Sequence, residues 1–131
     1  MEKVYTKNAP EAIGPYSQGI ICGGLVFTSG QIPVNPESGN VEVEGIKEQT
    51  EQVMKNIKAV LEEAGSSLDK IVKTTCFIQN MDDFAQFNEV YAEYIFSIAK
   101  EFNIDARVIG RCEAYEGKKL TIRSEYGEFI Y

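Results

Sequence analysis

The chain contains no histidine and no tryptophan, and only three cysteines and four prolines among its 131 residues. Without an imidazole, Ser-His-Asp and Cys-His nucleophilic catalysis are both excluded, and so are zinc sites built on histidine. Proton transfer near neutral pH then falls to Asp, Glu, Lys, Tyr, Cys, backbone groups or water. Cys22, Cys76 and Cys112 stand far apart with no C-x-x-C spacing. That pattern makes a poor disulfide framework and a poor metal site, so no metal is expected. The three are predicted to be small buried hydrophobes in a reducing compartment. Basic residues are also scarce: 13 Lys+Arg face 20 Asp+Glu, a formal net charge of −7, which argues against indiscriminate nucleic-acid binding. No apolar run approaches the roughly 20 residues needed to span a bilayer. Met1 to Asn8 carries no apolar signal core, so a cytoplasmic protein with no membrane partner is expected.

What is present suits an ordinary globular core, with 44% hydrophobic and 25% charged residues. No repeat or linker interrupts the chain, and residues 1–131 are read as a single domain. Gly19–Cys22 and Leu25–Ser29 are β-prone runs separated by Gly23-Gly24, which predicts a hairpin. Ile32-Pro33-Val34-Asn35-Pro36 cannot be helical, because prolines lack the amide donor and force extended backbone before them. Ile46, Thr50, Val53, Ile57, Val60, Leu61 and Ala64 recur at helical spacing, predicting a helix over 46–64 closed by Gly65. Ile71–Gln79 reads as a strand. A second helix follows, with Asp82 as its N-cap and a stripe of Phe84, Phe87, Tyr91, Tyr94, Ile95, Ile98 and Phe102. Two further strands are expected over Arg107–Tyr115 and Lys119–Tyr126. Each helix is apolar on one face only and needs a surface to cover. The expected fold is α+β, a two-layer domain with two helices on one face of a mixed β-sheet. The second sheet face is not cleanly polar, which favours subunit contact.

Two segments are crowded with turn residues around a few polar groups. They are Asn8-Ala9-Pro10-Glu11-Ala12-Ile13-Gly14-Pro15-Tyr16-Ser17-Gln18-Gly19 and Phe27-Thr28-Ser29-Gly30-Gln31-Ile32-Pro33. Composition alone marks both as turn chemistry. Together with Glu63-Ala64-Gly65, Val72-Lys73-Thr74-Thr75-Cys76-Phe77 and Phe87-Asn88-Glu89-Val90-Tyr91, they resemble the RidA subgroup of the reactive-intermediate deaminase (Rid, YjgF-like) family. The resemblance runs over roughly residues 2–94.

That resemblance implies a chorismate mutase-like fold, a homotrimer with pockets between subunits, and no cofactor. It implies hydrolysis of 2-imino acids such as 2-iminobutanoate and 2-iminopropanoate, released by pyridoxal-phosphate dehydratases, to 2-oxo acids and ammonia. It places the family's pocket residues on Tyr16, on Ser29 with Gly30, and on Asn88. Tyr16 and Arg107 are the expected catalytic pair, and Arg107 is also the substrate-carboxylate clamp, since a guanidinium makes two parallel charge-assisted bonds to a carboxylate. The last third departs from the family pattern. Ala106-Arg107 is kept, but Ile109 stands where a cysteine is expected, and Arg111-Cys112 offers a shifted partial match. The glutamate credited with activating water falls on Thr121, while Glu113 and Glu125 are nearby alternatives. Two other readings stay open: a non-catalytic trimer that binds 2-oxo acids or other small metabolites, and an endoribonuclease or translation inhibitor.

Overall fold

The hairpin expected around Gly23-Gly24 forms because both glycines take left-handed backbone, at φ 60° and 78°. Such a turn matches the right-handed twist of its flanking strands, and any residue with a Cβ would be strained there. In the computed structural model, which describes residues 1–101, 121–124 and 127–130, the hairpin strands are β2 (Gly19–Cys22) and β3 (Leu25–Thr28). A short β1 (Glu2–Val4) pairs on the other side of β2, giving an antiparallel sheet in the order β1-β2-β3. Val4 lies opposite Gly19, and Ile21 opposite Val26.

Helix α1 spans Ile46–Glu63. It ends where Gly65 turns left-handed at φ 74°. There the amide of Ser66 donates to the carbonyl of Leu61 at 2.8 Å and that of Gly65 to Glu62 at 2.9 Å, satisfying carbonyls that the helix end would otherwise orphan. Its buried stripe meets the sheet at Gly19. A Cβ on that residue would lie 3.1 Å from Val60 Cγ1 and 3.2 Å from the Phe27 carbonyl oxygen, so only glycine lets helix and strand close. Val4, Ala9 and the fully enclosed Val60 form the centre of the core, with Ile21, Ala59 and Ala64 against it. Burying a side chain such as Val60 contributes about 1.5–3 kcal/mol.

Helix α2 (Phe84–Glu101) packs on α1. Lys47 and Glu89 bridge the two helices at 2.7 Å. Val90 is buried, and Phe87 stacks on Tyr91 with centroids 5.4 Å apart. Its N-terminal cap differs from expectation. A 3-10 turn over Met81–Asp83 precedes the helix, and Asn80 supplies the cap, its side-chain oxygen accepting from the Asp82 amide at 3.0 Å. Asn and Asp cap equally well, so the chain uses the one that starts the extra turn.

The two-layer α+β arrangement stands, and the strands described are all antiparallel. The expected strand over Ile71–Gln79 forms no ladder among the described residues, and Val72 and Phe77 are 86% and 92% exposed. β-propensity favours extended backbone but does not supply a neighbour. A bond between the Thr74 and Tyr91 hydroxyls ties the segment to α2. Burial pushes the Tyr91 phenol above its ordinary pKa, and the Thr74 bond works against that rise.

Strands β4 (Thr121–Ser124) and β5 (Gly127–Ile130) form a separate antiparallel pair, with Ile122 opposite Phe129. The expected strand over Lys119–Tyr126 is thus present over 121–124, but it pairs onward along the chain. Arg107–Tyr115 lies outside the described residues. The cysteine expectation is corrected as well: Cys22 and Cys76 are exposed free thiols. Cys22 ends β2 beside the Gly23-Gly24 turn, opposite Leu25, and Cys76 lies in the 71–79 segment; Cys112 lies outside the described residues. No described helix is long and apolar enough to cross a membrane.

Candidate functional site

Tyr16 stands on the irregular stretch between β1 and β2, and it is 55% exposed, so it is not a core aromatic. A tight turn precedes it, the Tyr16 amide donating to the Gly14 carbonyl at 2.8 Å. The next two residues are bound to the end of β3. The Ser29 hydroxyl donates to the Ser17 carbonyl at 2.5 Å, and the Ser29 amide to the Gln18 carbonyl at 2.9 Å. The structure therefore ties the end of the Tyr16 loop to Ser29. It also changes the part Ser29 can take. With its proton committed to Ser17, the hydroxyl has only lone pairs left to offer a ligand.

Beside Tyr16 runs a shallow groove of about 330 Å³, lined by Lys3, Tyr5, Glu11, Tyr16, Ser17 and Gln18 among others. Across it the Tyr5 hydroxyl donates to Glu11 Oε1 at 3.2 Å. That bond, followed by the charge of the Glu11 carboxylate, raises the Tyr5 phenol above its ordinary pKa. Lys3 and Glu11 give the groove both signs of charge, and two phenols flank them.

The segment after Ser29 is held by a residue that the sequence reading left unremarked. Asn56 on α1 is 1% exposed. Its Nδ2 donates to the carbonyls of Ile32 and Val34 at 2.9 and 3.0 Å, and its Oδ1 accepts from Gln52 at 2.9 Å. Gln18 plays a matching part on the N-terminal side. It is 2% exposed, accepts from the Thr6 amide and donates to the carbonyls of Thr6, Ala9 and Pro10.

Asn88 lies on the second turn of α2, half-buried, with no hydrogen bond to the Tyr16 or Ser29 segments among the described residues. Arg107, Arg111, Glu113 and Glu125 lie outside the described residues, and Thr121 begins β4. No cluster of three or more His, Cys, Asp or Glu suited to a metal occurs among the described residues.

The two helices and small antiparallel sheet define an α+β class of domain, and comparison narrows it. The profile of the family described as Endoribonuclease L-PSP matches residues 6–116, and the chain belongs to that family, the Rid family. It is 46% identical over 91 residues to the 2-iminobutanoate/2-iminopropanoate deaminase of Escherichia coli K12, covering 70% of each chain. The crystal structure of the Rid-family protein YyfA from Yersinia pestis is 54% identical with a TM-score of 0.69, covering 71% of this chain and 74% of that one. Escherichia coli TdcF, solved with bound serine, is 40% identical with a TM-score of 0.70, covering 81% and 80%.

Proposed function

We propose that the protein hydrolyses reactive 2-imino and enamino acids, such as 2-iminobutanoate and 2-iminopropanoate, to 2-oxo acids and ammonia. The observation that carries this reading is the 46% identity to the Escherichia coli deaminase. The bonds from Ser29 to the Ser17 and Gln18 carbonyls support it by fastening the backbone next to Tyr16 to the Ser29 corner. Water adds to C2 of the imine while the nitrogen takes a proton. The C–N bond of the resulting carbinolamine then breaks, releasing ammonia as the C2 hydroxyl loses its proton to form the ketone. In the proposed site Arg107 grips the substrate carboxylate and Tyr16 orients water or nitrogen. The lone pairs of Ser29 accept from the imine N–H, and Asn88 and the Gly30 backbone complete the binding surface.

The working unit is proposed to be a homotrimer. In support, the sheet face turned away from α1 carries Ile20, Leu25 and Phe27, the last 58% exposed, more apolar surface than a lone sheet face keeps in water.

The test adds purified protein to a threonine dehydratase with threonine and follows loss of the imine. Acceleration that Arg107→Ala abolishes without changing the assembly is expected. No acceleration over the spontaneous rate refutes the enzyme. A second reading, a non-catalytic metabolite-binding trimer, is favoured by the serine bound to TdcF and by Thr121 standing where the family's glutamate is expected. Saturable 2-oxobutanoate binding without acceleration would select it. An RNA-directed activity is opposed by the net charge of −7 and the absence of histidine, and RNA cleavage alone would select it.

A further inference from the structure

The ladder between β1 and β2 stops at Val4 opposite Gly19. One step further the strands part, and a side chain continues the pairing. The Gln18 carboxamide accepts from the Thr6 amide at 2.7 Å and donates to the Thr6 carbonyl at 3.0 Å. These are the two bonds that a backbone partner opposite Thr6 would make in an antiparallel sheet. The same nitrogen also reaches the carbonyls of Ala9 at 3.1 Å and Pro10 at 2.8 Å. Two protons thus serve three acceptors, one of them shared. Only the side-chain oxygen can accept from Thr6, so the orientation of the amide is settled by its partners. Meanwhile Ser29 holds the carbonyls of Ser17 and Gln18 itself. The chain from Glu11 to Ser17 is therefore a hoop whose two ends meet at one buried amide, and Tyr16 rides on it two residues from the closure.

We propose that Gln18 is a positioning residue for the deaminase reaction: its carboxamide closes the Glu11–Ser17 hoop and so sets Tyr16 against the Ser29 corner. Gln18 does not touch the substrate, because it is buried and both its polar atoms are engaged within the fold. The role rests on the imine-deaminase reading.

Two full-chain variants test it. Gln18→Glu keeps the shape and can still accept from Thr6, but its carboxylate faces three carbonyls with no donor. Burial raises the pKa of such a carboxyl, and protonation restores one donor. Gln18→Met keeps the length and supplies no donor at any pH. Amide hydrogen exchange is read separately over residues 11–17 and over α1, and kcat and KM for imine loss are measured between about pH 5 and 8. In Gln18→Glu, hoop exchange and kcat are expected to change by roughly tenfold or more, with α1 exchange unmoved. Both return toward the wild-type profile as pH falls, whereas Gln18→Met recovers at no pH. Hoop exchange equal to wild type in Gln18→Met overturns the closure. Faster hoop exchange with kcat and KM unchanged overturns the positioning role. Should either variant lose α1 protection as well, Gln18 is a fold residue and the proposal fails. If the wild type does not accelerate imine loss, the deaminase reading and the positioning role fall together, while the exchange comparison still decides the closure.

Discussion

Replacing Asn56 with Leu should weaken the fold far more than a polar residue on a helix ordinarily would. Pro33 has no amide proton, so the Ile32–Val34 segment cannot join a ladder through it, and the carbonyls on either side need donors from elsewhere. Asn56 supplies both from one nitrogen, at 2.9 and 3.0 Å, and accepts from Gln52 at 2.9 Å. Leu has similar volume but no polar atom. The change leaves the partly buried Val34 carbonyl without a donor, at about 1–3 kcal/mol, while the Ile32 carbonyl keeps the Val34 amide at 2.8 Å and loses only its second bond, at about 0.5–1.5 kcal/mol. The extra apolar side chain in a site that is 1% exposed offsets about 1–2 kcal/mol of this. The net loss is centred at about 1.5 kcal/mol, roughly a tenth to a third of the stability of an ordinary domain. Urea unfolding of wild type and variant at one protein concentration measures it, since an assembling protein gains stability with concentration. Asn56→Asp, which keeps the acceptor for Gln52 but loses both donors and sets a charge against two carbonyls, should be at least as damaging. No measurable loss for Leu, or an Asp variant close to wild type, would show that water readily replaces Asn56 and that the segment is not held by it.

Gly19→Ala should cost about 1–3 kcal/mol by denaturant melt, because the new methyl would meet Val60, Phe27 and Val4 between 3.1 and 3.4 Å. Removing the carboxylate with Glu11→Ala should bring the Tyr5 phenol down toward its ordinary range, since the bond and the negative charge that favour its protonated form both disappear. Ultraviolet difference titration against Tyr5→Phe reads this, and an unmoved titration would dismiss the pairing. Lys47→Ala should change the urea midpoint by less than about 1 kcal/mol equivalent, because both partners of the Lys47–Glu89 bridge are well exposed.

Local signals were readable in the sequence and non-local ones were not. The hairpin at Gly23-Gly24 and the helix end at Gly65 follow from which residues tolerate positive φ, a property of a few adjacent positions. The stripe of α1 was readable because helical spacing repeats within the element, yet Met54 and Asn56 were missed in it. Asn56 was discoverable: it stands three residues after Val53 and four before Val60, on the same face as both. Its polarity suggested solvent, whereas polar side chains inside a fold answer backbone groups that the sheet cannot. Ile71–Gln79, which has no ladder among the described residues, shows the opposite case. Its β-branched and aromatic residues carry strand propensity, but pairing depends on a partner elsewhere in the chain. At the candidate site, the resemblance put Tyr16 and Ser29 in one pocket. Only the structure showed that the Ser29 proton is already given to Ser17.

The two loops that meet near Tyr16 are each fastened by a buried carboxamide: Gln18 on the N-terminal side and Asn56 behind the Ser29 corner. This suits the proposed chemistry better than charged fasteners would. A buried ion brings a desolvation cost and a field of its own, and a field beside a neutral imine would shift the balance between substrate, carbinolamine and ketone. A neutral amide satisfies carbonyls without adding net charge. An already labile imine needs only modest help, roughly a hundred- to ten-thousandfold from orientation and one proton contact. That corresponds to about 3–5 kcal/mol of barrier. An effect of this size needs no imidazole, but in the proposed reaction it does need the phenol and the attacking water held steady. On this account the protein's resource is loop rigidity, not a strong base. Loosening either amide should then lower kcat well before it unfolds the domain.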